Sequence, residues 1–323
     1  MKSNFSVLMR KVSRRNDLSA IVSTVLLFLL FGIFSDGFLS QYNMFNVSRT
    51  AAIYLFIALG QVFVVIIGGM NLSLGNIGAL SVVAFGYSCE ILHLNGFVST
   101  VIALLVGALC GLFNGFIIIK LNLSSFIVTL STSFIFAGLV TGISKGSPYT
   151  NIPEKYSVLG RAGFLGLPIL FWLMLLVVII LWFFFKYTVM GRQLLATGGN
   201  ETAARLSGIK TERMLFLANV LSGLFAAVAG CFWVSRMSTA SPATGGDWMM
   251  ISFAVAAIGG TVLSGGEVSP VGLFFASFLM AMIKNGLVML NVDMYYEQSF
   301  LGLIILIAVC FETIRLRYNK KKR

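Results

Sequence analysis

Few side chains in these 323 residues are equipped for catalysis. The single histidine is His93, and the four cysteines (Cys89, Cys110, Cys231, Cys310) lie far apart inside apolar stretches. Such spacing offers no metal ligand set and no disulfide framework. No metal site is expected. The carboxylates Glu90, Asp247, Glu267, Asp293 and Glu297 fall near the ends of apolar runs. An ion-coupled secondary carrier would place carboxylates in mid-membrane. A membrane-embedded transferase would gather two or three acidic or histidine residues on one face. Neither pattern is present. No G-x-x-x-x-G-K-[ST] occurs, so the chain has no phosphate-cradling loop of its own.

What remains is a set of polar side chains within or beside apolar runs: Asn71, Ser73, Asn114, Asp247, Lys284 and Asn285. Intramembrane polar residues mark a translocation path, or they hold helices together. Lys284 suits a carboxylate partner, solute hydroxyls or an interface reached by snorkelling. Asn114-Gly115 and Asn285-Gly286 suit helix–helix hydrogen bonds beside a small residue. Asn71 and Ser73 suit a path lining, and Asp247 suits the positive end of a helix dipole. Glu90 and His93 suit a solvated pair. The aromatic cluster 182–185 suits a lipid-facing belt.

Glycine pairs punctuate two of the runs. Residues 67–75 (IGGMNLSLG) and 258–266 (IGGTVLSGG) are identical at six of nine positions. Both read as helix breaks, in which Gly68, Gly69, Gly259, Gly260, Gly265 and Gly266 free the backbone. Asn71, Ser73 and Ser264 can recapture its polar groups.

The longest polar stretch, residues 187–213, contains GGNETAARLSGI. Asn200 suits an N-cap, Glu201 the first turn, and Gly208 the C-terminal stop. Glu201 and Arg205 are four apart and share a face. A helix of about two turns needs a partner surface, which lipid headgroups or another protein can supply. Ala204 is small enough to press into a partner's groove.

The elements that must carry these residues are membrane helices. Hydrophobic residues make up 58% and charged residues 11%, against roughly 25% charged in soluble domains. With a mean hydropathy of +0.95 this excludes a soluble enzyme. The net charge of +12 fits basic tails at a lipid surface better than a nucleic-acid partner. Apolar runs at 18–34, 50–67, 74–92, 97–119, 123–143, 167–185, 214–235, 248–263, 271–290 and 299–314 predict ten spans. No A-x-A-like site follows the first run, so it reads as a helix rather than a cleaved signal. With both termini cytoplasmic, inner segments hold 17 Lys and Arg and outer ones 5, as the positive-inside rule asks. Shifting the runs from 50 to 143 by 171 residues lays them on the last four. Paired runs are five spans apart, so the fold class expected is all-α, with two five-helix halves of inverted orientation. The 191-residue offset between the glycine motifs belongs to two similar breaks, not to that repeat.

Four stretches carry a resemblance to a known family: VIIGGMNLSLGNIGALS (65–81), GLFNGFIIIKLNLSSFIVTLST (111–132), MGRQLLATGGNETAARLSGI (190–209) and AAIGGTVLSGGEVSPVGLFFASF (256–278). Together they resemble the permease subunits of ribose-type ATP-binding-cassette importers, which carry monosaccharides and related furanoses. The resemblance implies a bacterial cytoplasmic-membrane permease paired with a second copy or a paralogue. It further implies two cytoplasmic ATPase subunits or a fused tandem ATPase, which bind ATP and Mg, and an external sugar-binding protein. By the same resemblance, Arg192, Asn200, Glu201, Ala204, Arg205 and Gly208 belong to a segment that docks on the ATPase.

Overall fold

The computed structural model describes residues 16–290 together with 293, 296, 298–300, 302, 303 and 306. Helices dominate because in lipid every backbone N–H and C=O must find a partner within the segment. In chain order they are α1 (Asn16–Phe34), α2 (Gln41–Val65), α3 (Leu74–Glu90), α4 (Gly96–Leu121), α5 (Ser125–Ser144) and α6 (Glu154–Arg161). A two-residue hairpin, β1 (Gly163–Phe164) with β2 (Leu167–Pro168), leads into α7 (Ile169–Tyr187). Then come α8 (Val189–Gly199), α9 (Glu201–Leu206), α10 (Thr211–Met237), α11 (Trp248–Ile258) and α12 (Pro270–Met289).

Among the described residues seven helices, α1, α2, α4, α5, α7, α10 and α12, are long and apolar enough to cross a membrane. The run expected at 248–263 is helical for only 11 residues, about 16 Å, so this helix alone does not cross a core of about 30 Å and irregular backbone must complete the span. The run expected at 299–314 lies almost wholly outside the described residues. α2 begins nine residues before the apolar run at 50–67. Ser40 caps it by accepting from Asn43 N–H, so polar Asn43, Asn46 and Arg49 join the helix.

α2 is the central helix. Eighty-nine per cent of its apolar window is buried, against α10, α11, α12 and α7. α10 also packs along α4, where Gly107, Gly111 and Gly115 recur every fourth residue. A Cβ at Gly107 would meet the Gly223 carbonyl at 2.5 Å, and one at Gly111 would run into the Asn219 carbonyl. Small residues let the backbones approach this closely. α1 lies on the rim, tied by Thr24 Oγ1 to the Phe275 carbonyl (2.9 Å). On α7, Trp182 and Phe183 are exposed as a belt would be, but Phe185 is buried beside Phe63, with ring centroids 6.0 Å apart.

Shifting α2 by 171 gives 212–236, against the observed Thr211–Met237 for α10. Shifting α3 gives 245–261, against Trp248–Ile258, and α4 gives 267–292, against Pro270–Met289. Each half thus pairs a long helix with a short one, joined by irregular backbone at 66–73 and at 238–247. The short helices start at one crossing: a Cβ on Gly75 would run into the Gly245 carbonyl, and one on Gly245 into the Gly75 carbonyl. Only glycines allow that mutual approach.

A cap covers the end of the bundle remote from α9. Tyr149 pairs in antiparallel fashion with Ala240. Glu90 Oε2 accepts from the N–H groups of Thr150 (2.8 Å) and Asn151 (2.9 Å). This corrects the expected pairing of Glu90 with His93: two backbone donors of the 149–151 strap bind the carboxylate. Burial pushes the Tyr156 hydroxyl well above the usual tyrosine range. It stays protonated and donates to the Cys231 carbonyl (3.0 Å).

Candidate functional site

Three glycine pairs from distant parts of the chain meet at the α8 end of the bundle. α8 starts from Thr188, whose side chain accepts from Gly191 N–H (3.0 Å). It buries Leu194 and Thr197 and brings Gly198-Gly199 against both breaks. A Cβ on Gly198 would collide with the Ile66 carbonyl and lie 2.9 Å from Gly266 N. A Cβ on Gly265 would lie 2.7 Å from the Gly198 carbonyl and 2.9 Å from Gly68 N. The breaks are also bonded directly: Gly266 N–H donates to the Ile66 carbonyl (2.9 Å). Any displacement of α8 must therefore move both breaks.

Side chains take up the backbone of the first break. Met70 N–H donates to Ser125 Oγ (3.1 Å), and Leu72 N–H to Thr129 Oγ1 (3.1 Å). Gln61, with its amide oriented to suit its neighbours, donates to the Asn71 carbonyl (2.9 Å) and accepts from Asn71 N–H (3.2 Å). Asn71 Oδ1 accepts from both Ser73 N–H (3.0 Å) and Ser73 Oγ (2.7 Å). Asn71 Nδ2 donates to Ser222 Oγ (2.8 Å), and Asn114 Nδ2 donates to Ser73 Oγ (2.9 Å). Asn71, Ser73 and Asn114 are fully buried in this network. Gln61, Ser125, Thr129 and Ser222 were not singled out by sequence reasoning. The signal was present: Ser125, Thr129 and Ser133 recur every fourth residue, a hydroxyl stripe along α5.

Of the six glycines named from sequence, Gly68 (φ 80°), Gly260 (φ 77°), Gly265 (φ 94°) and Gly266 (φ 85°) take left-handed backbone, while Gly69 and Gly259 do not. Aligned motifs thus bend at different positions, Gly68 in one and Gly260 in the other.

α9 forms from Glu201 to Leu206, with Asn200 Oδ1 accepting from Ala203 N–H (2.9 Å) and Gly208 left-handed (φ 82°) after it. Glu201, Arg205 and Gly208 are exposed, as is Arg192 on α8. Ala204 is the exception and corrects the expectation that it enters a partner's groove. It is 5% exposed, the one buried residue of α9, and faces its own chain. The outward apolar side chain is Leu206, 86% exposed.

The remaining polar candidates lie elsewhere. Asn285 exchanges amide hydrogen bonds with Asn43, at 2.7 and 3.1 Å, joining α12 to the start of α2. Asp247, at the head of α11, forms a 2.8 Å ion pair with Lys284 of α12. Because α11 is short, Asp247 sits inside the bundle rather than at a span end.

The family described as "Branched-chain amino acid transport system / permease component" matches residues 43–309. The ribose import permease protein RbsC of Bacillus subtilis is 35% identical over 301 residues, covering 91% of this chain and 92% of its own. RbsC of Haemophilus influenzae is 30% identical over 311 residues, 95% of each chain. The L-arabinose transport system permease protein AraH of Escherichia coli is 33% identical over 312 residues, 94% of this chain and 91% of its own. With apolar helices in the number described and relatives aligned almost end to end, this chain belongs to the branched-chain amino acid transport system permease component family, as a multi-pass membrane permease and not an enzyme.

Proposed function

We propose that the chain is the permease subunit of an ATP-driven importer and carries a monosaccharide, ribose-like or a related furanose, across a bacterial cytoplasmic membrane. The names of its relatives support the sugar. The reading has ten spans, cytoplasmic termini and two halves of opposite direction. The 171-residue offset and the charge bias of the loops support it. A second permease copy or paralogue completes the pathway. Two ATPase subunits or a fused tandem ATPase bind ATP and Mg, and a sugar-binding protein delivers the solute from outside. Lipid surrounds the rest.

The observation that carries the reading is the junction of Gly198 with Ile66 and Gly265-Gly266. ATPase closure moves α9, α9 moves α8, and α8 bears on the irregular segments that precede α3 and follow α11. Movement at a nucleotide site thereby reaches both short helices without a nucleotide site in this chain. Arg192, Glu201, Arg205 and Leu206 form the outward docking face, with Asn200 and Gly208 fixing the helix ends. Ala204 seats the helix on its own chain.

Leu206→Glu tests this. The variant should insert normally, lose most co-purifying ATPase and lose solute-stimulated ATP hydrolysis. Arg205→Cys should be shielded from an impermeant thiol reagent in intact cells and labelled in inverted vesicles of the permease expressed without its ATPase. Wild-type ATPase recovery by Leu206→Glu would overturn the docking assignment, and labelling of residue 205 in intact cells would overturn the orientation.

A further inference from the structure

The two short helices are seated in chemically different ways at equivalent stations. Asn76, at the start of α3, donates to Ser133 Oγ (2.7 Å) and to the Ser133 carbonyl (3.0 Å). The residue 171 positions later is Asp247, at the start of α11, and its partner is Lys284 Nζ at 2.8 Å. An amide and a hydroxyl therefore suffice to seat a short helix there. An ion pair is the costlier solution, since both charges must leave water for the interior of a membrane protein. Its depth is considerable. α11 descends 11 residues from Asp247, about 16 Å, and Lys284 is 14 residues along α12, about 21 Å. On helices of these lengths both stand inside a hydrocarbon core of about 30 Å, with Lys284 about 8 Å from the far end of α12.

The pair is also open. The Lys284 and Asp247 side chains are 26% and 27% exposed, whereas Asn71, Ser73 and Asn114 are fully buried. Lys284 engages Asp247 Oδ2, and Oδ1 takes no hydrogen bond among the described residues. A carboxylate oxygen is a strong acceptor for a hydroxyl. The paired cation cancels its charge, so the station suits a neutral solute with many hydroxyls and disfavours an anion or a cation.

We propose that Asp247 and Lys284 are the solute-contacting, specificity-determining pair of the translocation route. Asp247 Oδ1 accepts from a solute hydroxyl, while Lys284 holds the carboxylate in place and neutralises it. The inference rests on the importer reading above.

The test uses the complete complex reconstituted in liposomes, with a panel of radiolabelled aldopentoses and aldohexoses. The readout is uptake of whichever sugar the wild type carries fastest. The double variant Asp247→Asn/Lys284→Gln keeps hydrogen-bonding groups at both positions and removes the charge. It should assemble and hydrolyse ATP at the basal rate, yet uptake should fall about tenfold to a hundredfold, the span of one lost charge-assisted hydrogen bond. The exchange Asp247→Lys/Lys284→Asp should stay equally slow, because its carboxylate stands on the wrong helix. A purely structural latch would recover. Wild-type uptake by either double variant overturns the proposal. Should both fail to assemble, Asp247→Glu decides: it keeps the ion pair and moves the oxygen by one methylene. A changed ranking of the sugars supports the proposal, and an unchanged ranking overturns it. If the wild type carries no sugar of the panel, the importer reading fails and this inference falls with it.

Discussion

At 66–73 the chain leaves helical geometry with Gly68 N–H on the Val65 carbonyl (2.8 Å) and Gly69 N–H on the Val64 carbonyl (2.9 Å), and then hands the N–H groups of Met70, Asn71 and Leu72 to the side chains of Ser125, Gln61 and Thr129. At 259–269 a nearly identical motif leaves the helix and closes mostly on its own backbone. Thr261 N–H donates to the Ala256 carbonyl (3.0 Å), Gly260 N–H to Ala257 (3.1 Å) and Gly265 N–H to Val262 (2.9 Å). One donor leaves this turn, Gly266 N–H, and it goes to the first break. Ser73 is fully buried and makes hydrogen bonds with Asn71 and Asn114, whereas its aligned counterpart Ser264 is exposed and its hydroxyl takes no bond among the described residues. The first break is anchored in the bundle. The second is a self-contained turn resting on it. Such an asymmetry suits a junction in which α8 displaces the second side further than the first.

The largest effect tests the point where both breaks touch α8. Gly198→Val places a side chain against the Ile66 carbonyl and Gly266 N, two backbone atoms that cannot rotate away. Relief requires α8 to separate from both breaks, at a cost of about 3 kcal/mol or more. Uptake should fall at least about a hundredfold while the membrane helices still insert. Near-normal uptake would mean that the contact is incidental and that the two breaks need no common support. Gly69→Leu should be milder, because its nearest neighbours include the Val64 side chain at 2.9 Å, which can shift.

A mid-sized effect should appear at Asn71. Replacing it by Leu removes the acceptor of Ser73 N–H and of Ser73 Oγ, and the donor to Ser222 Oγ. At least one buried backbone donor is left unpaired, so thermal unfolding in detergent should show a loss of about 2–4 kcal/mol. A loss below about 0.5 kcal/mol would show that the first break is no better anchored than the second.

How much of this was legible in the residues depends on the scale of the signal. Long apolar runs announced the membrane class, and the Asn200 cap with the Gly208 stop announced α9, because both are local patterns. The depth of α11 was not legible. Trp248 and the Gly259-Gly260 break mark its ends in the sequence, but only the tertiary crossing of Gly75 with Gly245 shows that the helix starts inside the bundle. The facing of Ala204 was not legible either. A two-turn helix presents a small residue inward or outward according to what packs on it, which here is its own chain. The network around Asn71 was half legible. Asn71, Ser73 and Asn114 stood out as polar residues in apolar runs, but their partners Ser222 and Gln61 are supplied by other helices. Only the fold brings those together.

The smallest effects make the sharpest comparison, because they come from one substitution at aligned positions. Ser73→Ala removes a hydroxyl that donates to Asn71 Oδ1 (2.7 Å) and accepts from Asn114 Nδ2 (2.9 Å). It leaves the buried Asn114 amide without its acceptor. The amide's oxygen already takes no hydrogen bond in the structure, so Asn114 would be left with no side-chain hydrogen bond at all. The expected loss is about 1–3 kcal/mol by thermal unfolding of the detergent-solubilised chain. Ser264→Ala removes an exposed hydroxyl from a turn whose bonds run through the backbone, so stability should change by less than about 0.5 kcal/mol. Should the two variants lose equal stability, the distinction between an anchored break and a self-closed one would collapse. A larger loss from Ser264→Ala would reverse it and make 259–269 the better-anchored side of the junction.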